Sequence, residues 1–304
     1  MALVGAFCIS FSAVLFDLAR VSATTGAFFR CLWAVPVLVL FARWEDRRLG
    51  RRQAHERVAA AVAGVMLAVD LVVWHRAIYE VGAGLSTVLA NLQVVMVAPV
   101  AWLLFSERPP RRALAAIPVA VTGVILISGL LESDAYGRNP ILGAVYGIVT
   151  SLAYTGFLLI FRQVSHDRRH LAGPLADVTI VCAAACAAGG LILGDLDLTP
   201  SLRAQGWLIV LALSSQVAGW LVIGLALPRL PAALSSVLLT LQPVLSVLFA
   251  AAILSEEPSP LQISGVVIVL LAVLVAILPA RQDGRRPTGA VRGMSIPKTA
   301  RDRG

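Results

Sequence analysis

The sequence predicts an all-α polytopic membrane protein of ten transmembrane helices, arranged as two inverted five-helix repeats. Three observations predict this class: a surplus of apolar residues, ten long apolar runs, and a duplication with a period of 149 residues. Of the 304 residues, 59% are hydrophobic and 14% are charged, whereas soluble domains carry about 45–50% and about 25%. One soluble core cannot bury that surplus. Soluble, disordered and collagen-like classes are therefore excluded.

The apolar runs are long enough to cross a bilayer, which takes about 17–25 mostly apolar residues in a helix. Arg clusters, Pro or acidic pairs bound most of them. The first run is short because Asp17 interrupts it, and it lacks the charged leading segment of a signal peptide. The predicted spans are residues 2–16, 26–42, 58–79, 83–105, 113–131, 140–161, 172–193, 206–227, 232–254 and 261–280.

The basic residues near the span ends predict the orientation in the membrane. With the N-terminus in the cytoplasm, twenty of the 25 Lys and Arg residues fall on the cytoplasmic side. The sequence thus predicts a multi-pass protein of the cell (inner) membrane with both termini cytoplasmic, ending in a disordered basic tail at 281–304. This topology accounts for the net charge of +8, so no nucleic-acid partner is expected. The five basic residues on the outer side are Arg20, Arg30, Arg76, Arg138 and Arg203.

The duplication relates residues 82–109 to residues 231–258, with twelve of 28 positions identical and no gap. Leu-Gln recurs at 241–242, and Ser-Glu-x-Pro recurs at 255–258. Because one period holds five spans, an odd number, the second copy enters the membrane from the opposite side. The sequence therefore predicts one repeat at 1–131 (spans 1–5) and a second at 140–280 (spans 6–10). Inverted repeats give many secondary transporters their two alternative states.

The duplicated motif also carries a family resemblance. Residues 77–93 with 106–109, and residues 226–243 continuing to Glu256, resemble EamA-type members of the drug/metabolite transporter superfamily. Phe16–Arg20 and the Phe29-Arg30 pair are similar to the span 1–2 region of the same family. The resemblance covers about residues 1–280. It implies ten spans, two EamA repeats, and export or exchange of small metabolites, often amino acids.

Polar side chains inside the predicted spans indicate a binding cavity between spans 3, 4, 8 and 9. A charge at mid-membrane costs roughly 2.5–3.5 kcal/mol on insertion scales, so it is a functional candidate by default. One carboxylate, several amides and two indoles suit a zwitterionic or cationic small molecule, because indole faces attract ammonium groups. The candidate substrate- or proton-binding residues are Asp70, Trp74, His75, Asn91, Gln93, Tyr154, Gln216, Trp220 and Gln242.

Asp70 is the central candidate, and two hypotheses compete for it. It binds the substrate amine or the driving proton, or it pairs with His75 or a helix amide and only fastens helices together. For His75 itself, a proton relay competes with a packed or snorkelling residue near the outer interface. Arg30 and Arg76 are expected to snorkel toward the outer face rather than bind anions.

For the remaining polar candidates, a structural role competes with a role in ligand binding or gating. Gln93 and Gln242 occupy equivalent positions of the two repeats, where an interhelical hydrogen bond competes with a ligand contact. Glu107 and Glu256 end spans 4 and 9 and are predicted to act as caps or gates. The four cysteines all lie inside apolar runs, which favours packing over a metal or redox site.

The functional prediction is a secondary transporter that moves small amphiphilic metabolites, amino acids or related amines, by alternating access, with export as the expected direction. The alternatives are facilitated or exchange transport of another metabolite or drug-like cation without proton coupling, and a non-transporting membrane partner. The motifs of membrane enzymes and nucleotide-driven pumps are absent from the sequence, so neither an enzyme nor a cofactor or metal is expected. The expected partners are the substrate, the lipid bilayer, protons as a coupling ion, and a second copy through spans 5 and 10.

Overall fold

The computed structural model describes residues 2–50, 52, 54–106, 109–164, 170–226 and 232–277. Across these ranges the regular structure is entirely helical. Two predictions lie outside the described residues: the basic tail at 281–304 and the role of Glu107.

Ten helices follow one another along the described chain, and three of them are interrupted. Their bounds are α1 (Ala2–Ser10 and Ser12–Ala19), α2 (Ala23–Leu49), α3 (Ala54–Val81), α4 (Ala83–Ala90 and Gln93–Phe105), α5 (Arg111–Ile127), α6 (Pro140–Val164), α7 (Ala172–Leu193), α8 (Leu202–Leu211, Ala212–Gly219 and Trp220–Ala226), α9 (Ala232–Leu254) and α10 (Pro260–Ile277).

Seven of these helices, α2, α3, α4, α6, α7, α8 and α10, are long and apolar enough to cross a membrane. Shorter apolar helices cover Leu3–Ala19 and Thr240–Leu254. The chain is an all-helical polytopic membrane protein, as predicted. Its helices follow the apolar runs closely, and α7 and α9 match their predicted spans at both ends. α2 is longer than its apolar run because the polar residues that follow the run continue the same helix.

The largest helix contacts join residues 1–127 to residues 140–277. α2 packs on α7, α4 on α9 and α5 on α10, while α3 packs on α6 and α1 on α8. The α5–α10 contact is close because glycines face each other there: a Cβ on Gly123 would lie 2.8 Å from the carbonyl oxygen of Gly265, and one on Gly265 would lie 2.7 Å from that of Gly123. Small residues permit such contacts between membrane helices. The core of the protein therefore lies between its two halves.

The helix α4 breaks at Asn91 and Leu92, in the middle of its predicted span. There the N–H of Leu92 donates to the carbonyl of Leu89 at 3.1 Å, one residue tighter than in an α-helix. The side-chain amide of Asn91 donates to the carbonyl of Thr87 at 2.9 Å, and the hydroxyl of Ser151 in α6 donates to that of Leu89 at 2.7 Å. The bond from Ser151 supplies a partner for a carbonyl at the break, which is the condition for irregular backbone inside a membrane protein.

Acidic side chains cap helix N-termini at both ends of the bundle. We call the end where α2 and α4 begin the upper end, and the end where α7 begins the lower end. At the lower end, the carboxylate of Glu45 accepts hydrogen bonds from the N–H groups of Leu171, Ala172 and Gly173, at 3.1, 2.9 and 2.9 Å. A carboxylate there neutralises the unsatisfied donors and the positive end of the helix dipole.

At the upper end, the segment that follows α7 binds side chains at the start of α2. The carboxylate of Asp195 accepts a hydrogen bond from the hydroxyl of Thr24 at 2.9 Å, and the backbone carbonyl of Asp195 accepts one from the N-cap residue Ser22. Each helix of this pair thus starts against an acidic residue of the other: α7 against Glu45 of α2, and α2 against Asp195, just beyond the end of α7. The contact between the two halves is fixed at both ends of this helix pair.

Candidate functional site

A polar cavity of about 70 Å³ lies between the two halves of the protein. Helices α1 to α4 line it from the first half, and α6, α8 and α9 line it from the second. Two of these contributions, those of α1 and α2, were not expected from the sequence. Seven of the nine candidate residues line this one cavity: Asp70, Trp74, Asn91, Gln93, Tyr154, Trp220 and Gln242.

Arg30 also lines the cavity, and its side chain is only 4% exposed. Its Nε donates to Oε1 of Gln216, its Nη1 to the hydroxyl of Ser12, and its Nη2 to the hydroxyl of Ser215, each at 3.1 Å. The expectation that Arg30 snorkels toward the outer face is therefore wrong. Acceptors from α1 and α8 hold the guanidinium inside the bundle through three of its five N–H groups, away from the interface. Arg76, in contrast, is partly exposed and pairs with Asp195 at 3.5 Å at the upper end.

The two acceptors on α8 lie in its π-helical segment, Ala212–Gly219. Such segments are rare and occur frequently at functional sites. Here the segment presents the consecutive residues Ser215 and Gln216 to the same guanidinium. The side-chain amide of Gln216 also donates to the hydroxyl of Thr179 at 3.3 Å, which fixes the orientation of its acceptor toward Arg30.

Asp70 is 7% exposed on the cavity wall. Its backbone carbonyl accepts a hydrogen bond from Thr150 at 3.3 Å, but its carboxylate forms no hydrogen bond or ion pair with any described residue. Two further polar atoms beside the cavity, Nε1 of Trp74 and Oε1 of Gln93, are buried without a hydrogen-bond partner. Buried polar groups are almost always paired. The cavity therefore offers an unpaired donor, an unpaired acceptor and an unpaired carboxylate.

Aromatic rings form the rest of the wall. The rings of Tyr154 and Trp220 meet edge to face, with centroids 6.3 Å apart, and Phe157 packs behind both. The guanidinium carbon of Arg30 lies 5.8 Å from the ring centroid of Trp74. The cavity thus combines polar groups with an apolar aromatic side, as small-molecule sites generally do.

His75 and Gln216 are the two candidates that do not line the cavity. The imidazole of His75 is completely buried and stacks on the ring of Phe16, with the ring centroids 3.7 Å apart. Its Nδ1 lies 3.0 Å from the carbonyl oxygen of Ala23. His75 is a packed residue between α1, α2 and α3, and the suggested pairing of Asp70 with His75 is not formed. Gln216 contacts a lining residue of the cavity, Arg30, without lining the cavity itself.

Glu256 closes the upper end between α4 and α9. Its carboxylate accepts hydrogen bonds from the N–H groups of Ala83 at 2.5 Å and Gly84 at 3.1 Å. Gly82, with φ +90°, makes this approach possible: a Cβ there would lie 2.8 Å from Oε1 of Glu256. Burial raises the pKa of Glu256 above its ordinary value, and the two N–H groups oppose that shift. Glu256 thus caps a helix of the other half rather than its own turn.

Sequence reasoning missed the role of Arg30, although one signal for it was present. Arg30 belongs to the Phe29-Arg30 pair that helps to carry the family resemblance. Ser12 gave no comparable signal, because isolated serines are common in membrane helices. Its role depends on a contact that only the folded chain creates.

Comparisons with known proteins agree with this architecture. The profile of the EamA-like transporter family matches residues 1–129 and again residues 141–278. A crystal structure of another protein aligns with 90% of this chain and 95% of its own, with a TM-score of 0.62 and 14% identity. At that identity the likeness concerns the fold alone. No curated protein matches the chain.

Proposed function

Since the chain belongs to the EamA-like transporter family, we propose that it is a secondary transporter of small amphiphilic metabolites, amino acids or related amines. It moves them across the cell inner membrane by alternating access, in the direction of export. The observation that carries the proposal is the cavity between the halves, where Arg30 and Asp70 are both buried. Charged side chains at such depth are costly and mark substrate or ion pathways.

Inverted repeats at 1–131 and 140–280 supply the two states that alternating access requires. In this proposal, the halves exchange conformations and open the cavity first to one side and then to the other. A conformational detail agrees with it: Ser106 and Ser255, 149 positions apart, both end their helices with a left-handed backbone, at φ 58° and 56°. The helices α4 and α9 therefore terminate in the same way in the two halves.

The small volume of the cavity supports a transport cycle that includes a closed state. Ligand pockets usually measure about 300–1,000 Å³, and this cavity measures about 70 Å³. A metabolite fits only after the surrounding helices separate. The contact of Glu256 with the first turn of α4 holds the upper end together, so we propose that this contact releases when the upper end opens.

Asp70 is the proposed binding group for the substrate amine or for the coupling proton. A buried carboxylate without a fixed partner is suited to either, because a proton or an ammonium group removes the cost of its burial. Gln93 and Trp74 line the same cavity, and each carries a buried polar atom without a partner, which supports a polar ligand there.

The test uses the purified full-length chain in liposomes that contain a pH-sensitive dye. Amino acids, polyamines and cationic dyes are added in turn to the wild type, to Asp70→Asn and to Asp134→Asn, which changes an exposed loop aspartate in the same way. The proposal expects a substrate-triggered pH change in the wild type and in Asp134→Asn, and its loss in Asp70→Asn. Substrate flux without a pH change supports exchange without protons. Unchanged flux and pH response in Asp70→Asn contradict the role of Asp70.

A further inference from the structure

Arg30 has more hydrogen-bonding capacity than its neighbours use. A guanidinium carries five N–H groups, and Gln216, Ser12 and Ser215 accept three of them, one each from Nε, Nη1 and Nη2. One N–H on Nη1 and one on Nη2 thus remain without a partner among the described residues. Two such donors on one planar group match the two oxygens of a carboxylate.

The charge of Arg30 is likewise uncompensated at contact distance. All three of its partners are neutral, and no described carboxylate lies within ion-pair distance of its guanidinium. Asp70 shares the cavity with Arg30 but makes no ion pair with it. A single small cavity thus contains one positive and one negative group, neither of them committed to the other.

Two other residues that line the cavity carry unpaired polar atoms, one a donor and one an acceptor. Nε1 of Trp74 is a donor, and Oε1 of Gln93 is an acceptor, and both are buried without partners. The donor can bind the same kind of group as Arg30, and the acceptor the same kind as Asp70. Positions 149 residues after Arg30 and Asp70 hold Thr179 and Gly219, so the second half supplies no charge at the equivalent places.

We infer that Arg30 binds the carboxylate of the substrate, so that the cavity selects solutes bearing both a carboxylate and an ammonium group and rejects simple amines. This inference rests on the proposed function and narrows its substrate class. Gln216, Ser12 and Ser215 act as positioning residues, because they hold the guanidinium in place through its other donors. The aromatic side formed by Tyr154 and Trp220 receives the apolar part of the solute.

The test compares the binding of matched solutes to the full-length protein in detergent, followed by the fluorescence of the tryptophans that line the cavity. Leucine is titrated beside 3-methylbutylamine, which lacks only the carboxylate, and 4-methylpentanoate, which lacks only the amine. The series is repeated with the other apolar amino acids and their amines. Wild-type protein should bind at least one amino acid about tenfold or more tightly than its amine, as expected for a charge-assisted hydrogen bond.

Three variants separate recognition from folding. Arg30→Gln should weaken amino-acid binding by about 10- to 100-fold and leave amine binding within about threefold, which removes the selectivity. Arg30→Lys keeps the charge without the planar fork and should recover part of that selectivity. Arg76→Gln, an arginine paired with Asp195 outside the cavity, should bind as the wild type does. Elution as a single species and an unchanged Tm identify variants that fold.

Each outcome decides the inference. Equal or tighter binding of amines than of amino acids by the wild type overturns it and leaves the proposed transporter intact. Retained selectivity in folded Arg30→Gln also overturns it, and if that variant does not fold, the wild-type comparison and Arg30→Lys decide. Binding of neither class across the whole series overturns the inference together with the substrate class in the proposed function.

Discussion

Arg30 donates a hydrogen bond from Nε to Oε1 of Gln216, 3.1 Å away and 186 positions later in the chain. The bond joins α2 of the first half to the π-helical segment of α8 in the second. It holds a buried positive charge beside a cavity whose only other charged lining residue, within the described part of the chain, is Asp70. This contact between the halves is the basis of the first prediction.

Replacing Gln216 by leucine should remove one of the three hydrogen-bond acceptors that hold the guanidinium of Arg30. A hydrogen bond to a charged group contributes about 1.5–3 kcal/mol, so amino-acid transport should fall by about tenfold or more. The measurement is the initial rate of exchange in liposomes for Gln216→Leu, Arg30→Gln and the double variant. Because the two residues act together, their effects should be strongly non-additive. Independent, additive losses would show that Gln216 does not work through Arg30. Gln205→Leu, at a partly exposed position where the glutamine bonds Trp33, is the control.

Replacing Glu256 by glutamine should loosen the first turn of α4. The variant keeps the shape of the side chain but loses the charge that favours two N–H groups at a helix N-terminus. Hydrogen–deuterium exchange of the peptide covering residues 83–90 should therefore become faster, while peptides from α7 stay unchanged. Glu257→Gln alters the exposed neighbour and should have no effect. Unchanged exchange at 83–90 would mean that Glu256 does not hold the upper end closed.

Glu45 should contribute to stability rather than to transport. Its carboxylate accepts three N–H groups at the start of α7, and loss of a helix cap costs about 0.5–2 kcal/mol. Glu45→Ala should lower the Tm of the purified protein with little change in the KM of transport. The adjacent Asp46→Ala is the control, because no described residue bonds its carboxylate. An equal fall in Tm for both variants would reflect surface charge rather than capping.

Gly123 should tolerate no side chain. A Cβ there would lie 2.6 Å from Cγ2 of Val269 and 2.8 Å from the carbonyl of Gly265, so Gly123→Ala must push α5 and α10 apart and should lower the Tm. Gly189→Ala is the matched change inside α7, where no atom lies within 4 Å of the added Cβ. It should be neutral or stabilising by up to about 1 kcal/mol. Similar Tm changes for the two variants would argue against tight packing of α5 on α10.

The helices were predictable because their apolar runs are long and are bounded by charged residues or proline. Even so, periodicity did not reveal the break at Asn91 or the π-helical segment at 212–219. Both depend on partners in other helices, such as Ser151 beside α4 and Arg30 beside α8. Local pattern does not contain that information.

The candidate site was predictable to the extent that its residues are unusual in a membrane. Asp70, Gln93 and Gln242 stand out in apolar runs, and they do share one cavity. Arg30 was misassigned because its distance from the span end fits snorkelling as well as burial. Only the positions of Ser12, Ser215 and Gln216 decide between these two.

The most direct test of alternating access concerns Ala90, which lines the cavity in α4. In a chain whose four native cysteines are replaced, Ala90→Cys is treated with a membrane-impermeant maleimide added to either side of oriented vesicles. We predict labelling from each side, slowed in both cases by a transported solute. Leu248→Cys, an exposed position on α9 away from the cavity lining, should label from neither side. Labelling of Ala90→Cys from one side only, at a rate that solutes do not change, would contradict a cavity that alternates between the two faces of the membrane.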